Sequence, residues 1–394
     1  MKLGSRRTFL GVTAIAVMCL LGAAAAADGP AVAPAQARQA GPAQSAPENL
    51  PKAGDVFKSL MLFGGLPVDT FFDTMGMFAN AMGNDCTFCH SPTAVFEKTA
   101  FAEATPRIMR ARQMFAMMNA LNKTYFGGQT RVTCFTCHGG NPSPRSDPNF
   151  AVQYGPPVED PNARDLVADT RISANQVFDK YLQAVGGSER LAKVTSYVAK
   201  GTYAGFDTSF DKIPVEIYAS APNQLTTIVH FFAGPSTRTY DGRNGWIAGP
   251  ETTLPLVTLT SGNLDRARLE AILLFPAGIR QAFSQWRVVR AVLDDRDVEV
   301  VQALEGGQPV ANLYFDESGL LVRLMRWTQT PVGFVPTEIE YADYRDVAGV
   351  KMPFRKKVSQ TYMQMTIELS DVQPNVAIDR SRFAQPAPAP RPPA

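Results

Sequence analysis

Apolar residues change their spacing twice along this chain. From residue 51 to about 140 they recur at helical intervals: Phe72, Met75, Ala79 and Met82 fall on one face of a segment that follows Pro67, predicting a helix from Asp69 to Met82. A second helix is predicted to start at Thr105-Pro106, a cap residue followed by proline at the first helical position. It runs through Met114, Met117, Met118 and Leu121 towards Tyr125 and ends at Gly127-Gly128. One more helix, Ser173 to Val185, opens the second half with a capping-box pattern at Ser173 and Gln176 and stops at Gly186-Gly187.

Beyond it the spacing is that of antiparallel strands. Val298 to Leu304, Val310 to Phe315 and Leu320 to Trp327 are apolar runs separated by turn residues, and Val215 to Tyr218, Leu225 to Phe231 and Met363 to Leu369 add more. Asp241-Gly242 and Asn244-Gly245 are turn signals. Leu264 to Ala282 is a helical interruption. A small helical domain followed by an antiparallel curved sheet or open barrel, an α + β multidomain arrangement, is the expectation.

The N-terminus carries a different pattern. Lys2, Arg6 and Arg7 precede an uncharged run, Phe9 to Ala27, that closes in alanines before Asp28. This reads as a signal peptide over 1–27 and hence export to the periplasm. Ser5-Arg6-Arg7-Thr8-Phe9-Leu10 fits the twin-arginine route, although general secretory signals share paired arginines. An uncleaved anchor is the alternative to cleavage. Residues 28–50 form an Ala/Pro linker, 51–141 the helical domain, 142–170 a Pro/Asp/Asn-rich linker, 171–384 the β-rich domain and 385–394 a disordered tail. With 38 basic and 36 acidic residues, no global field points to nucleic acid.

Five cysteines are present. Cys19 leaves with the signal, and the remaining four form two Cys-x-x-Cys pairs, each followed directly by histidine: Cys86-Thr87-Phe88-Cys89-His90 and Cys134-Phe135-Thr136-Cys137-His138. That spacing lets two thiols form thioethers to one porphyrin edge while the histidine ligates the iron. Two covalent haem c groups are the expected cofactors, held by Cys86, Cys89, Cys134 and Cys137, with His90 and His138 as proximal ligands. Structural zinc would not need the histidines, a thiol–disulfide enzyme has one such pair near a βαβ unit, and plain disulfides leave the histidines unexplained.

The sixth ligands are bounded by counting. Only three histidines exist, so His230 alone is spare and cannot serve both haems. Methionine is the alternative: Met75, Met77 and Met82 compete for the first haem, Met114, Met117 and Met118 for the second, the rest packing as apolar filler. Filled axial positions leave no open iron, so electron transfer between redox protein partners is expected rather than catalysis. A peroxidase-like enzyme with one open haem is one rival, and a lipid or small-molecule carrier whose haem domain only senses redox state is the other.

Residues 58–141 resemble the cytochrome c subunit of photosynthetic reaction centres. The likeness rests on Thr74-Met75 leading to Gly83-Asn84-Asp85-Cys86, and on Ala111-Arg112-Gln113-Met114 leading through Asn119-Ala120-Leu121-Asn122 to Val132-Thr133-Cys134. The resemblance implies Met75 and Met114 as the distal ligands. That subunit holds four haems and this chain has two motifs; Met75 lies closer to its motif, and Gly139 stands where a basic residue is typical. The likeness supports the haem unit and its ligation, not a photosynthetic role.

The β-rich part, with Tyr341-Ala342-Asp343-Tyr344-Arg345 and Gly349-Val350-Lys351-Met352-Pro353, is similar to periplasmic half-barrels of the lipoprotein-carrier type. This implies a half-barrel-like domain with one or two helices and room for an apolar ligand. Phe231, Trp246, Trp286 and Trp327 otherwise read as core aromatics, Asp294, Asp295 and Asp297 as an acidic turn rather than a cation site, and His230 as a core or surface residue.

Overall fold

Local signals set the helices where they were expected. The computed structural model describes residues 50–390 apart from 96, 149, 156–159, 161, 251, 253 and 294; the segment expected to be a signal peptide, most of the expected Ala/Pro linker, Asp294 and the last four residues of the expected tail lie outside the described residues. Helices α1 (Ala53–Val56), α2 (Val68–Met82), α3 (Pro106–Tyr125), α4 (Cys134–His138), α5 (Phe150–Tyr154), α6 (Ala174–Ala184), α7 (Ser188–Leu191) and α8 (Ser261–Leu274) follow in order. Thr105 caps α3 by accepting from Ile108 N, and Ser173 and Gln176 form a reciprocal box at the start of α6.

The remainder is one antiparallel sheet. Its strands are β1 (Ser196–Gly205), β2 (Ile213–Ser220), β3 (Gln224–Phe231), β4 (Gly234–Tyr240), β5 (Gly245–Ala248), β6 (Val257–Thr258), β7 (Gln285–Leu293), β8 (Arg296–Glu305), β9 (Gln308–Phe315), β10 (Leu321–Thr330), β11 (Gly333–Val347), β12 (Val350–Gln360) and β13 (Gln364–Pro374). They are ordered β6-β5-β4-β3-β2-β1-β13-β12-β11-β10-β9-β8-β7, so the sheet stays open, with β6 and β7 at its edges. Each strand pairs with its chain neighbour except at the centre, where β1 meets β13. The turn signals at Asp241 work through its carboxylate, which accepts from Arg243 N at 2.7 Å and Asn244 N at 2.6 Å.

Near-continuous apolar strands in this sheet have a reason: both faces are covered. On one face α6, α8 and the 3-10 turn Pro276–Gln281 bury Phe178, Tyr181, Leu269 and Ile279 against Leu313, Phe315, Leu324 and Ile339. On the other, Leu166 packs with Val289, Val300, Tyr314, Met325 and Trp327. Residues 162–169 have no helix, yet they are pinned there: Gln302 Nε2 donates to Arg164 O at 3.1 Å, and the Arg164 guanidinium lies 3.5 Å from the Phe334 ring centre. Trp246 and Trp327 are buried, and Trp286 packs edge-on to Phe178 and Phe283. These are core aromatics.

The helical segment is fastened to the sheet by buried polar groups. Asp69 on α2 accepts from Thr260 N and Thr260 Oγ1, both at 2.6 Å, where α8 begins. Asp73, one turn on, accepts from Asn263 Nδ2 at 2.7 Å. Burial pushes the Asp73 carboxyl up to about 6. The apolar stripe expected to face the core, Phe72, Met75, Ala79 and Met82, is only half-buried, while Asp69, Phe71, Asp73, Thr74, Gly76 and Met77 form the buried face. Tertiary contacts, not the hydrophobic period alone, decide which face turns inward.

Removing Asp69 strands the two donors of Thr260. Asp69→Ala is expected to cost about 3 kcal/mol, the range for buried hydrogen bonds to a carboxylate. A lower urea midpoint at unchanged slope checks it; an unmoved midpoint shows that the fastening lies elsewhere.

Candidate haem-attachment site

Both Cys-x-x-Cys-His segments are short helical turns with their own caps. The first is the 3-10 turn Cys86–Phe88, capped by Asp85, whose Oδ1 accepts from Thr87 N at 2.8 Å and Thr87 Oγ1 at 2.6 Å. The second is α4, where Thr133 and Thr136 bond reciprocally at 3.2 and 3.0 Å and Gly139 closes the helix. A helical turn of this kind places the two cysteines and the histidine of each motif within one span of backbone.

The histidines share a second feature. His90 Nδ1 lies 3.1 Å from Phe101 O, and His138 Nδ1 lies 3.0 Å from Asn141 O. A carbonyl oxygen only accepts, so each Nδ1 carries a proton, and in the neutral ring that leaves Nε2 as the nitrogen with the lone pair. Burial holds His90 below the ordinary imidazole value, which keeps it neutral at pH 7. This is the tautomer and charge state that a metal-ligating imidazole needs, with its other nitrogen anchored.

The four cysteines are free thiols. Burial pushes Cys134 up to about 11 and raises half-buried Cys89 as well. Un-ionised thiols are poor nucleophiles, the opposite of what a thiol–disulfide enzyme arranges.

Three residues hold the motifs to the long helix α3. Thr105 Oγ1 donates to Cys89 O at 2.5 Å while its oxygen also caps α3, and Arg107 Nη1 donates to Phe88 O at 2.7 Å with its guanidinium 4.1 Å from the Phe88 ring centre. At the other end, buried Asn122 donates to Val132 O at 2.7 Å and accepts from Arg131 N at 3.0 Å and Val132 N at 2.9 Å. The chain therefore enters the second motif locked to α3. Met114, Met118 and Asn122 fall at four-residue intervals along that helix. Met114 and Met75 are half-buried; Met77 and Met118 are buried together beside Cys134.

The motifs adjoin each other through glycines. Gly140 N donates to Ala81 O at 3.0 Å, and Gly83 has φ +63°. A Cβ on Gly83 would lie 2.1 Å from Gly140 O, so only glycine allows this approach. Gly83 is three residues before Cys86 and Gly140 two after His138, which puts Cys86 and His138 within about 25 Å of one another at fullest chain extension.

His230 lies apart from the motifs: it is exposed, with Nε2 3.3 Å from Glu216 Oε1. On the face of the sheet covered by α6 and α8 there is a cavity of about 90 Å³, lined by Tyr181, Tyr197, Leu225, Leu274, Tyr341 and Phe354. Its polar corner is Glu270, 2.8 Å from Lys356 Nζ. Burial opposes ionisation of Glu270, but Lys356 and Arg266 hold its carboxyl below the usual value.

Residue patterns identified the cysteines and histidines. The carbonyls of Phe101 and Asn141 carry no side-chain signal and were not foreseeable. Asn122 stood inside the Asn119–Asn122 stretch of the reaction-centre resemblance, but its role in gripping Arg131 and Val132 needed the fold.

Comparison with known proteins points to the same family that the sequence resembles. Residues 21–175 match the family model described as photosynthetic reaction centre cytochrome C subunit. The photosynthetic reaction center cytochrome c subunit of Thermochromatium tepidum is 30% identical over 99 residues, 24% of this chain and 23% of that one. The chain thus matches less than a quarter of that relative's length. Solved structures that align include a DUF1329 family protein from Desulfovibrio piger (9% identity, TM-score 0.38, 54% of this chain and 97% of that one) and a LolA superfamily protein from Nitrosomonas europaea (12%, 0.35, 54% and 98%).

Asn122→Ala removes three hydrogen bonds around residues 131 and 132. It is expected to destabilise the protein by about 2 kcal/mol and to speed exchange of the Arg131 and Val132 amides selectively. Uniform protection in a hydrogen-exchange experiment would count against its anchoring role. The segment bearing both motifs is similar, over residues 21–175, to the photosynthetic reaction centre cytochrome c subunit family.

Proposed function

We propose that this chain is an exported, periplasmic dihaem c-type cytochrome that passes single electrons between redox protein partners. The observation that carries this reading is the matched state of the two imidazoles: each donates Nδ1–H to a backbone carbonyl and keeps Nε2 free. Cys86 and Cys89 anchor one haem and Cys134 and Cys137 the other, with His90 and His138 as proximal ligands. Met75 and Met114 are the distal ligands, on the upstream helices α2 and α3. Thioether ligation favours ferrous iron and a comparatively high potential.

The protein's own part is positional. Asn122, Thr105 and Arg107 fix the backbone of the motifs, the carbonyls of Phe101 and Asn141 orient the imidazoles, and the Gly83–Gly140 approach keeps the haems close enough to exchange electrons. With His90 and Met75 holding one haem and His138 and Met114 the other, neither iron would keep a position for peroxide, and the chain would act as a carrier rather than an enzyme. No helix among the described residues is long and apolar enough to cross a membrane.

The cavity beside Glu270 favours a second role for the half-barrel. At about 90 Å³ it is smaller than ordinary ligand pockets of roughly 300 Å³ upward. It suits the end of an alkyl chain or a small ring better than a whole lipid, with Lys356 and Glu270 meeting a polar head.

The test is an optical spectrum, oxidised and reduced, of chain matured with haem-attachment machinery. Two low-spin covalent haems per chain are expected, and Met75→Ala and Met114→Ala should each abolish the methionine–iron charge-transfer band of one haem. High-spin iron in the unaltered protein would mean an open site and point to peroxide chemistry instead.

A further inference from the structure

The second motif does not rest on helices alone. Cys134 packs with Met77, Phe115, Met118 and Val132 and, from the sheet, with Val332 and Val335, which are 0% and 2% exposed. Val332 lies in the turn between β10 and β11 and Val335 on β11 just after it, some 200 residues further along the chain. The turn is braced from within: Thr330 Oγ1 donates to Gly333 O at 2.8 Å and accepts from Val332 N at 3.3 Å.

Its tip is seated tightly. Gly333 has φ +130°, and a Cβ there would lie 2.8 Å from Thr133 Cγ2 and 3.3 Å from Met77 Cε. The hairpin therefore closes on the residue that precedes Cys134 and on the helix α2, with no room for a methyl group.

The first motif is surrounded differently. Cys86 is exposed, and its segment is held by polar groups: Asp85 at the cap, Arg107 over Phe88, and Thr105 on the Cys89 carbonyl. Among the described residues its side chains join none of the buried apolar clusters.

A thioether fixes one porphyrin edge at the cysteine sulfur. Ferric haem carries one more positive charge than ferrous haem, and taking a charge out of water is costly. A haem edge held in an apolar cluster therefore favours the ferrous state, and burial is one of the levers on haem potential. We propose that the β10–β11 hairpin forms part of the second haem's pocket and makes the haem at His138 the higher-potential one, on which a single electron entering the chain resides.

This rests on the dihaem reading above. The test is a spectroelectrochemical titration of the full, haem-loaded chain beside a form lacking the first attachment, Cys86→Ala with Cys89→Ala. Two steps are expected in the unaltered protein, the upper one persisting in the single-haem form. Val332→Ser should lower that upper step alone, shifting its ferric-to-ferrous ratio roughly tenfold at fixed potential, about 59 mV for one electron; Val332→Ile should leave both steps in place. The proposal is overturned if the remaining haem titrates at the lower step. It is equally overturned if Val332→Ser moves neither step or both while the haems stay low-spin. Should Val332→Ser fail to fold, the comparison with the single-haem form decides alone. A chain that takes up no covalent haem overturns both readings, and a haemochrome assay reveals that before any potential is measured.

Discussion

The architecture turns on two buried carboxylates. Asp69 and Asp73 sit one turn apart on α2 and grip the start of α8 through Thr260 and Asn263. Carboxylates this deep are costly to bury, and the cost is met by donors aimed at them from a helix almost 200 residues away. Because of that grip, α2 lies against the sheet with its polar-studded face inward. The face that carries Met75 is left only half-buried. The placement of the motifs follows from this: α2 ends at Gly83, Gly83 meets Gly140, and the two Cys-x-x-Cys-His segments become neighbours.

Chemistry at the motifs is set by desolvation and by backbone oxygen. Partial burial favours the neutral His90 imidazole and raises the Cys89 and Cys134 thiols, while the carbonyls of Phe101 and Asn141 choose the tautomer. These effects act in one direction, towards iron ligation and away from thiolate reactivity. Around them, α3 serves as a splint, with Thr105 and Arg107 on the first motif and Asn122 on the second.

The sheet contributes more than a platform. Its α6/α8 face encloses a small cavity with a charged corner at Glu270 and Lys356, and its opposite face is covered by residues 162–169. Its β10–β11 turn reaches the second motif. One side of the molecule is thus built jointly by helices and sheet, whereas the first motif depends on local helical segments and polar side chains. Two chemically identical attachment motifs acquire unequal surroundings from this asymmetry.

Much of this was legible in the chain itself. The caps at Thr105 and Ser173, the glycines after α3 and α6, and the apolar runs of β8, β9 and β10 are local signals, and local physics carried them into structure. The two Cys-x-x-Cys-His motifs are contiguous, so their chemistry needed no fold to be read. Tertiary structure alone decided the rest. Helical periodicity marked the Phe72–Met82 stripe, but the pull of Thr260 and Asn263 on two aspartates determined which face of α2 is buried. The carbonyl partners of the histidines are backbone atoms without a sequence signature, and the seating of Gly333 against Thr133 joins residues that only long-range pairing brings together. Sequence determines what short-range forces can fix; contacts between distant segments depend on burial and hydrogen bonding that no local pattern encodes.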